Sequence, residues 1–517
     1  METLFKDKIY RVVFGAFIIV SLIHIIYATV TCRGLYLDGS FYIMSQLNYL
    51  GNGEFNYCID RMHPRFFMMM LFQLPVMLSY HFLFVKSKFI LMAVYSFTVF
   101  ILPFGALMYN FYLTKRTGRI DVLFWNLFTY GTILCLFMIF AIVESLVGVT
   151  FNFILWNYLV SKEEYKISDI AVIIFLVMMM FGTYEYIIFL GPVIFIAHFF
   201  YLQDGISVKN KIMKKIIGWG SLSAALFNIV YMSGVSGEAG EIARFFDEAV
   251  NVLPNLLKFN SLFSVAAVLL LILFFFYKKK IQTTGLFFIL AVFNLALYRL
   301  LKVAYFSVNP MWEGHYRAMP CYTLFIIFLI MFLTDYIKQK RSQKLCDNDN
   351  TDVSAVGSQS RYEALIVNSF CIVTVCCIFQ MFWQINHTYL WDKNIKYMKS
   401  ELANCSDILY IPSEHEEISS FWNKDFRKYI WHSVYTSTSI LFSDSYKPKS
   451  LLMHYDEEYD ENNHPFRESL FVPKNSDNIV VVPVGAPLYI KNEFWDLTDF
   501  AEALAKYNSE NNIKTLN

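Results

Sequence analysis

Residues 66–85 read FFMMMLFQLPVMLSYHFLFV. The stretch is long enough to cross a bilayer, and whether it does so sets the side of everything that follows. Suppose it does not cross. The N-terminal Lys6, Lys8 and Arg11 then share a side with Lys115, Arg116 and Arg119, with Lys162 and Lys166, and with Lys209, Lys211, Lys214 and Lys215. Lys278, Lys279 and Lys280 join them, as do Lys338, Lys340, Arg341, Lys344 and Arg361. This is the positive-inside pattern of a cytoplasmic face. If 66–85 crossed, every later loop would change side and the pattern would fail at each. The charges therefore keep 66–85 in, or dipping into, the outer interface. Pro75 is expected to break it, and Gln73 and His81 to share one face.

The rest of the composition agrees with a membrane chain. Of 517 residues, 56% are apolar, 18% aromatic and 16% charged, and mean hydropathy is +0.44. A soluble chain of this length needs more charge to cover its surface. Apolar runs at 12–30, 89–113, 122–142, 145–160, 169–184, 187–202, 216–234, 259–277, 283–303, 317–334 and 363–384 predict about eleven spans. Basic residues ahead of the first run, with no small-residue cleavage site after it, fit a retained anchor. The N-terminus is expected in the cytoplasm and the C-terminus outside it.

The fold class expected is an all-α polytopic membrane protein with a C-terminal extracytoplasmic α/β domain. Residues 1–384 form the membrane module, with an outer loop at 31–66, the interfacial segment 66–85 and a cytoplasmic linker at 335–362. Residues 385–517 form the outer domain, with extended runs at Asp407–Ile411 and Asn478–Pro483 and a helix across Leu497–Tyr507. The 235–258 loop reads as an interfacial helix.

A net charge of +1 gives no nucleic-acid footprint. No phosphate-binding glycine loop, dinucleotide fingerprint or zinc helix is present. Cys135, Cys371, Cys376 and Cys377 lie in apolar runs and read as small hydrophobes. Cys32 and Cys58 share the first loop and could pair on an oxidising side.

Chemistry-bearing residues gather at the outer ends of the predicted spans. The first loop supplies Asp38, Asp60, Arg61, His63 and Arg65; the later outer ends supply Glu144, Glu185, Glu313, His315 and Arg317. A charge at mid-bilayer costs about 2.5–3.5 kcal/mol on insertion scales, so Glu144 and Glu185, in very short apolar connections, are expected to face a wet cavity. The inner ends show basic flanks and little else. Taken singly, each residue has a bland reading: a helix cap for Asp38, solvated turns for Glu144 and Glu185, lipid-phosphate contacts for Arg61 and Arg65, snorkelling for His315 and Arg317. The shared location carries the weight.

At this point the chain resembles polytopic glycosyltransferases of the GT-C class. The likeness rests on LeuAspGlySerPheTyr at 37–42, an acidic residue among aromatics in the first outer loop, and on HisProArgPhe at 63–66 opening the surface segment. The family's usual second carboxylate is here Gly39. Size and composition are similar to those of serotype-converting glucosyltransferases that decorate O-antigen. The resemblance implies an inverting transfer from a polyprenyl-phosphate sugar donor to a glycan or lipid-linked acceptor. Asp38 would be the catalytic base. Arg61, His63, Arg65, His315 and Arg317, with Asp60, Glu144, Glu185 and Glu313, would bind donor phosphate and sugar. Trp422, Trp431 and Tyr435 could stack on acceptor sugars. The resemblance names no cofactor for certain, and a divalent metal stays open. A bacterial inner membrane is favoured over the endoplasmic reticulum, where the sequons at Asn386 and Asn404 would matter. The alternatives are a secondary transporter and a glycan polymerase or ligase using a lipid-diphosphate donor.

Overall fold

The structure is a computed structural model that describes residues 6–36, 38–56, 65–131, 144–161, 163–183, 186–202, 206–234, 324–325, 327–337, 339, 356–410, 435–452, 469–471, 478–482 and 486–510. The predicted spans at 259–277 and 283–303 and the expected interfacial helix at 235–258 lie outside these residues.

Helix α1 (Lys8–Val30) starts where Asp7 accepts the Tyr10 amide at 2.8 Å. Its apolar run ends at Thr31, and Cys32 turns the chain in the left-handed region (φ 51). A short 3-10 turn, Arg33–Leu35, follows and leads into α2 (Asp38–Gly51). Gly34 is required there: a Cβ would come within 2.5 Å of the Ser96 Cα, so only glycine lets this turn seat against its neighbour. Helix α3 (Phe66–His81) comes next and runs through Pro75 without interruption. The expected break does not occur. Proline removes one amide donor, but the flanking turns hold the helix and Met68, Met69, Phe72, Gln73, Val76 and Met77 are buried on it.

The bundle continues with α4 (Lys88–Thr117), α5 (Ile120–Thr129), α6 (Glu144–Val160), α7 (Ile167–Met180), α8 (Ile187–Tyr201), α9 (Val208–Gly234) and α10 (Ile327–Ile337). Helix α11 (Val356–Asn404) closes it. Helices α1, α4 and the Ile366–Asn404 part of α11 are each long and apolar enough to cross a membrane. α1 and α4 run antiparallel. Phe14 stacks on Phe111 at 4.5 Å, and His24 meets Phe100 edge-on at 5.1 Å.

Helix α11, at 49 residues, is about 74 Å long. It passes without a break through the expected domain boundary at 384/385, and its first turns occupy 356–362, which were expected to belong to a linker. Beyond it lie β1 (Leu409–Tyr410), α12 (Tyr435–Phe442), β2 (Leu451–Leu452), β3 (Ser469–Phe471), β4 (Asn478–Val482), β5 (Ala486–Tyr489) and α13 (Thr498–Glu510). β1 and β2 pair in parallel, and β3–β4–β5 form an antiparallel sheet.

Two ends of the bundle can be told apart by what they hold. At the basic end, α4 stops on Gly118 in the left-handed region (φ 76) and α7 starts beside it. At the other, capped end, the last part of α11 and the segments after it cover the 31–56 region. There the Trp391 indole donates to the Thr31 carbonyl at 3.1 Å.

Candidate functional site

The capped end is built on α2 and α3. Helix α3 begins and ends there. Near its start the Met68 amide donates to the Gly182 carbonyl at 3.0 Å, in the turn between α7 and α8. At its end the Tyr80 hydroxyl donates to the Glu493 carboxylate, which Lys86 also meets at 3.0 Å. Midway, Phe72 meets Tyr95, two turns into α4. The next residue, Ser96, receives the Gly34 amide at 3.0 Å. The segments leading to Asp38 and from Arg65 therefore pack on one turn of α4.

Arg65 is half-buried, and its carbonyl accepts the Met69 amide at 2.9 Å. Gly182 approaches so closely that a Cβ would lie 2.8 Å from the Phe67 nitrogen. One turn into α6, Gly148 faces Thr183 and Tyr186, and the Asn152 amide donates to the Tyr186 hydroxyl at 3.0 Å. These contacts bring the start of α3, the start of α6 and the described residues Gly182, Thr183 and Tyr186 into one corner. Two expected residues, Arg65 and Glu144, belong to those stretches. For Asp38 and Glu144 the backbone is described, each as the first residue of its helix. The expected residues Asp60, Arg61, His63, Glu185, Glu313, His315 and Arg317 lie outside the described residues, as do Trp422 and Trp431.

One buried cation was not singled out in the sequence. Arg33 is 1% exposed, with its guanidinium 3.9 Å from the Tyr36 ring centre and 5.7 Å from that of Trp391. Stacking on aromatic faces suits a planar guanidinium removed from water. Directly after an apolar span, a single arginine reads as a membrane flank. The available signal was Tyr36 three residues on, since the other ring comes from α11. Cys32, beside it, is a free buried thiol, and burial pushes its pKa up to about 12. Its expected partner Cys58 lies outside the described residues.

The C-terminal segments hold α2 at both ends. At its first turn Thr438 donates to the Ser40 hydroxyl at 3.0 Å. At its last turns the Asn48 side-chain oxygen accepts the Tyr489 amide at 2.9 Å, and the Glu493 amide reaches the Gly51 carbonyl at 3.3 Å. The Tyr489 hydroxyl donates to Glu54 at 2.6 Å. Lys88 donates to the Ile440 and Ser443 carbonyls, both at 2.9 Å, and so caps the end of α12.

The basic end differs from the plain flanks expected of it. Arg116 grips Asp169 through two bonds of 3.0 and 2.7 Å, and the same carboxylate accepts Tyr158 at 3.0 Å and the Lys166 amide at 2.7 Å. Arg119 bridges Asp121 at 2.6 Å and Asp335 at 2.7 Å, with Tyr201 donating to Asp335 at 2.7 Å. Burial works against the Arg119 charge, but the two carboxylates outweigh it and raise its pKa. Buried Lys214 donates to the Ser161 carbonyl at 2.9 Å and the Tyr201 carbonyl at 3.4 Å, closing the ends of α6 and α8. These charges satisfy one another and read as fastening.

Among the described residues no group of three or more His, Cys, Asp or Glu is placed to hold a metal ion. No family model, curated protein or solved structure matches this chain. The functional reading therefore rests on its own residues.

Proposed function

We propose that this chain is an integral membrane inverting glycosyltransferase. It moves a sugar from a polyprenyl-phosphate donor to a glycan or lipid-linked acceptor at the capped end. That end would be the extracytoplasmic face, opposite the basic end. O-antigen glucosylation in a bacterial inner membrane is the finer form of the proposal. The observation that carries it is the layering of the first polar segment. Arg33–Leu35 and Asp38–Gly51 form a turn and a helix across one end of an apolar bundle, with the start of α3, the start of α6 and Gly182, Thr183 and Tyr186 in one corner. The reading is supported by the helix that Asp38 opens lying at the same end of the bundle as Arg65 and the start of α6.

In the proposed reaction the Asp38 carboxylate takes the proton of the acceptor hydroxyl as its oxygen bonds to the anomeric carbon. The bond from that carbon to the phosphate oxygen breaks, and polyprenyl phosphate leaves. Charge grows on the phosphate, and Arg65, with Arg61 and His63, would stabilise it. General-base assistance of this kind is worth about 10²–10⁴ in rate. Arg33, five residues before Asp38, adds a fixed positive charge behind the reacting helix.

The test is transfer of radiolabelled glucose from undecaprenyl-phosphate glucose by the purified protein in detergent. Asp38→Asn is expected to lower turnover by at least about 10²-fold with unchanged thermal unfolding. Near-normal turnover would remove Asp38 as the base. Arg65→Ala is expected to weaken donor use. Uptake of the free sugar into proteoliposomes, without transfer, would favour the transporter instead.

A further inference from the structure

The turn between α3 and α4 carries three consecutive large apolar side chains: Phe82 is 69%, Leu83 72% and Phe84 77% exposed. The turn is not frayed. The amides of Phe82 and Leu83 reach the Leu78 carbonyl at 2.9 and 3.4 Å, and the Val85 amide reaches the Ser79 carbonyl at 3.0 Å. Phe84 is held in the left-handed region (φ 54), which a bulky residue rarely adopts. A closed turn that fixes three apolar side chains outward needs an apolar surrounding.

We propose that Phe82, Leu83 and Phe84 anchor the protein in the bilayer leaflet on the side of the C-terminal segments. The occupant of this surface is the boundary between lipid headgroups and acyl chains. Two observations select it. The apolar surface continues down α4 through the exposed Ile90 and Phe97, on a helix long and apolar enough to cross a membrane. The flanking cations point the other way: Lys86 reaches Glu493, and Lys88 reaches the end of α12. Lys86 also lies 3.6 Å from the Tyr80 ring centre. A tyrosine and a lysine at the polar edge, with phenylalanine and leucine beyond, is the arrangement of an interfacial anchor. The inference rests on the chain being embedded in a membrane and not on its chemistry.

The test places a nitroxide label on Leu83→Cys, and separately on Phe82→Cys, in vesicles of phosphatidylcholine and phosphatidylglycerol. Collision rates with oxygen and with a water-soluble nickel chelate are then compared, after subtracting labelling of the parent protein. Both labels are expected to favour oxygen, as a label on Phe97→Cys should. Nickel collisions matching those at Lys449→Cys, an exposed position near α12, would put the turn in water and overturn the proposal. Protection from both reagents would place protein over the turn and overturn it too.

Discussion

At the basic end Arg116 and Arg119 are locked to carboxylates, and the Asp169 carboxylate takes four hydrogen bonds. At the capped end α2 is held by an amide, hydroxyls and backbone groups from a part of the chain some 400 residues away. Opening the first arrangement strands buried charge; the bonds that hold Ser40, Asn48 and Gly51 of α2 are neutral, each worth about 0.5–1.5 kcal/mol net. The basic end is therefore the rigid frame. The capped end is the part that can yield at modest cost, which the proposed admission of a lipid-linked sugar would use.

The largest expected effect breaks the frame. Asp169→Ala leaves Arg116 without its buried partner and should cost about 3–5 kcal/mol of stability, read as thermal unfolding in detergent. A loss under about 1 kcal/mol would mean that the pair is solvated and the two ends are alike. Next, Asn48→Ala removes the acceptor of the Tyr489 amide and should cost about 1–3 kcal/mol. Hydrogen exchange should quicken in α2 and β5 and stay unchanged around Asn157 and Asp169. Faster exchange at both ends would erase the distinction.

A pH titration sharpens the same contrast within the C-terminal segments. Hydrogen bonds from the Thr498 hydroxyl and amide, aided by Lys491, hold the Asp496 carboxyl down to about 2. Its stabilising contribution is thus complete above the unfolded value of about 3.9 and is lost as pH falls through about 2. Acid should loosen the start of α13 in that window, and Asp496→Asn should abolish this dependence. An unchanged acid transition in the variant would assign it to other carboxyls.

Much of the helical framework could be read in the chain because apolar runs report helices directly: the runs at 12–30 and 89–113 lie within α1 and α4. Pro75 misled because a single missing amide bond is outweighed by burial of the surrounding side chains. At 384/385 the composition changes while the backbone does not: α11 runs on through it and buries Trp391, Ile395 and Met398. The fastening at the basic end was not legible, since Asp169 and Asp335 lie 53 and 216 residues from their arginines. Charge counting sees the cations and not their distant partners. Arg33 was hidden for a related reason, as one of its two aromatic neighbours comes from α11.

The smallest expected effect tests whether the capped end owes anything to charge. Glu493 meets Lys86 at 3.0 Å with both side chains substantially exposed (35% and 50%). Hydrogen bonding with Tyr80 and the nearby carboxylate raise the Lys86 pKa, but water and salt screen such a pair. Glu493→Gln keeps an acceptor for Tyr80 and removes the ion pair, so it should shift stability by about 0–1 kcal/mol. Raising salt to about 1 M shortens the screening length to about 3 Å and should erase what difference there is. A larger loss that survives high salt would mean that Glu493 is a buried-type lock like Asp169. The capped end would then be as rigid as the frame.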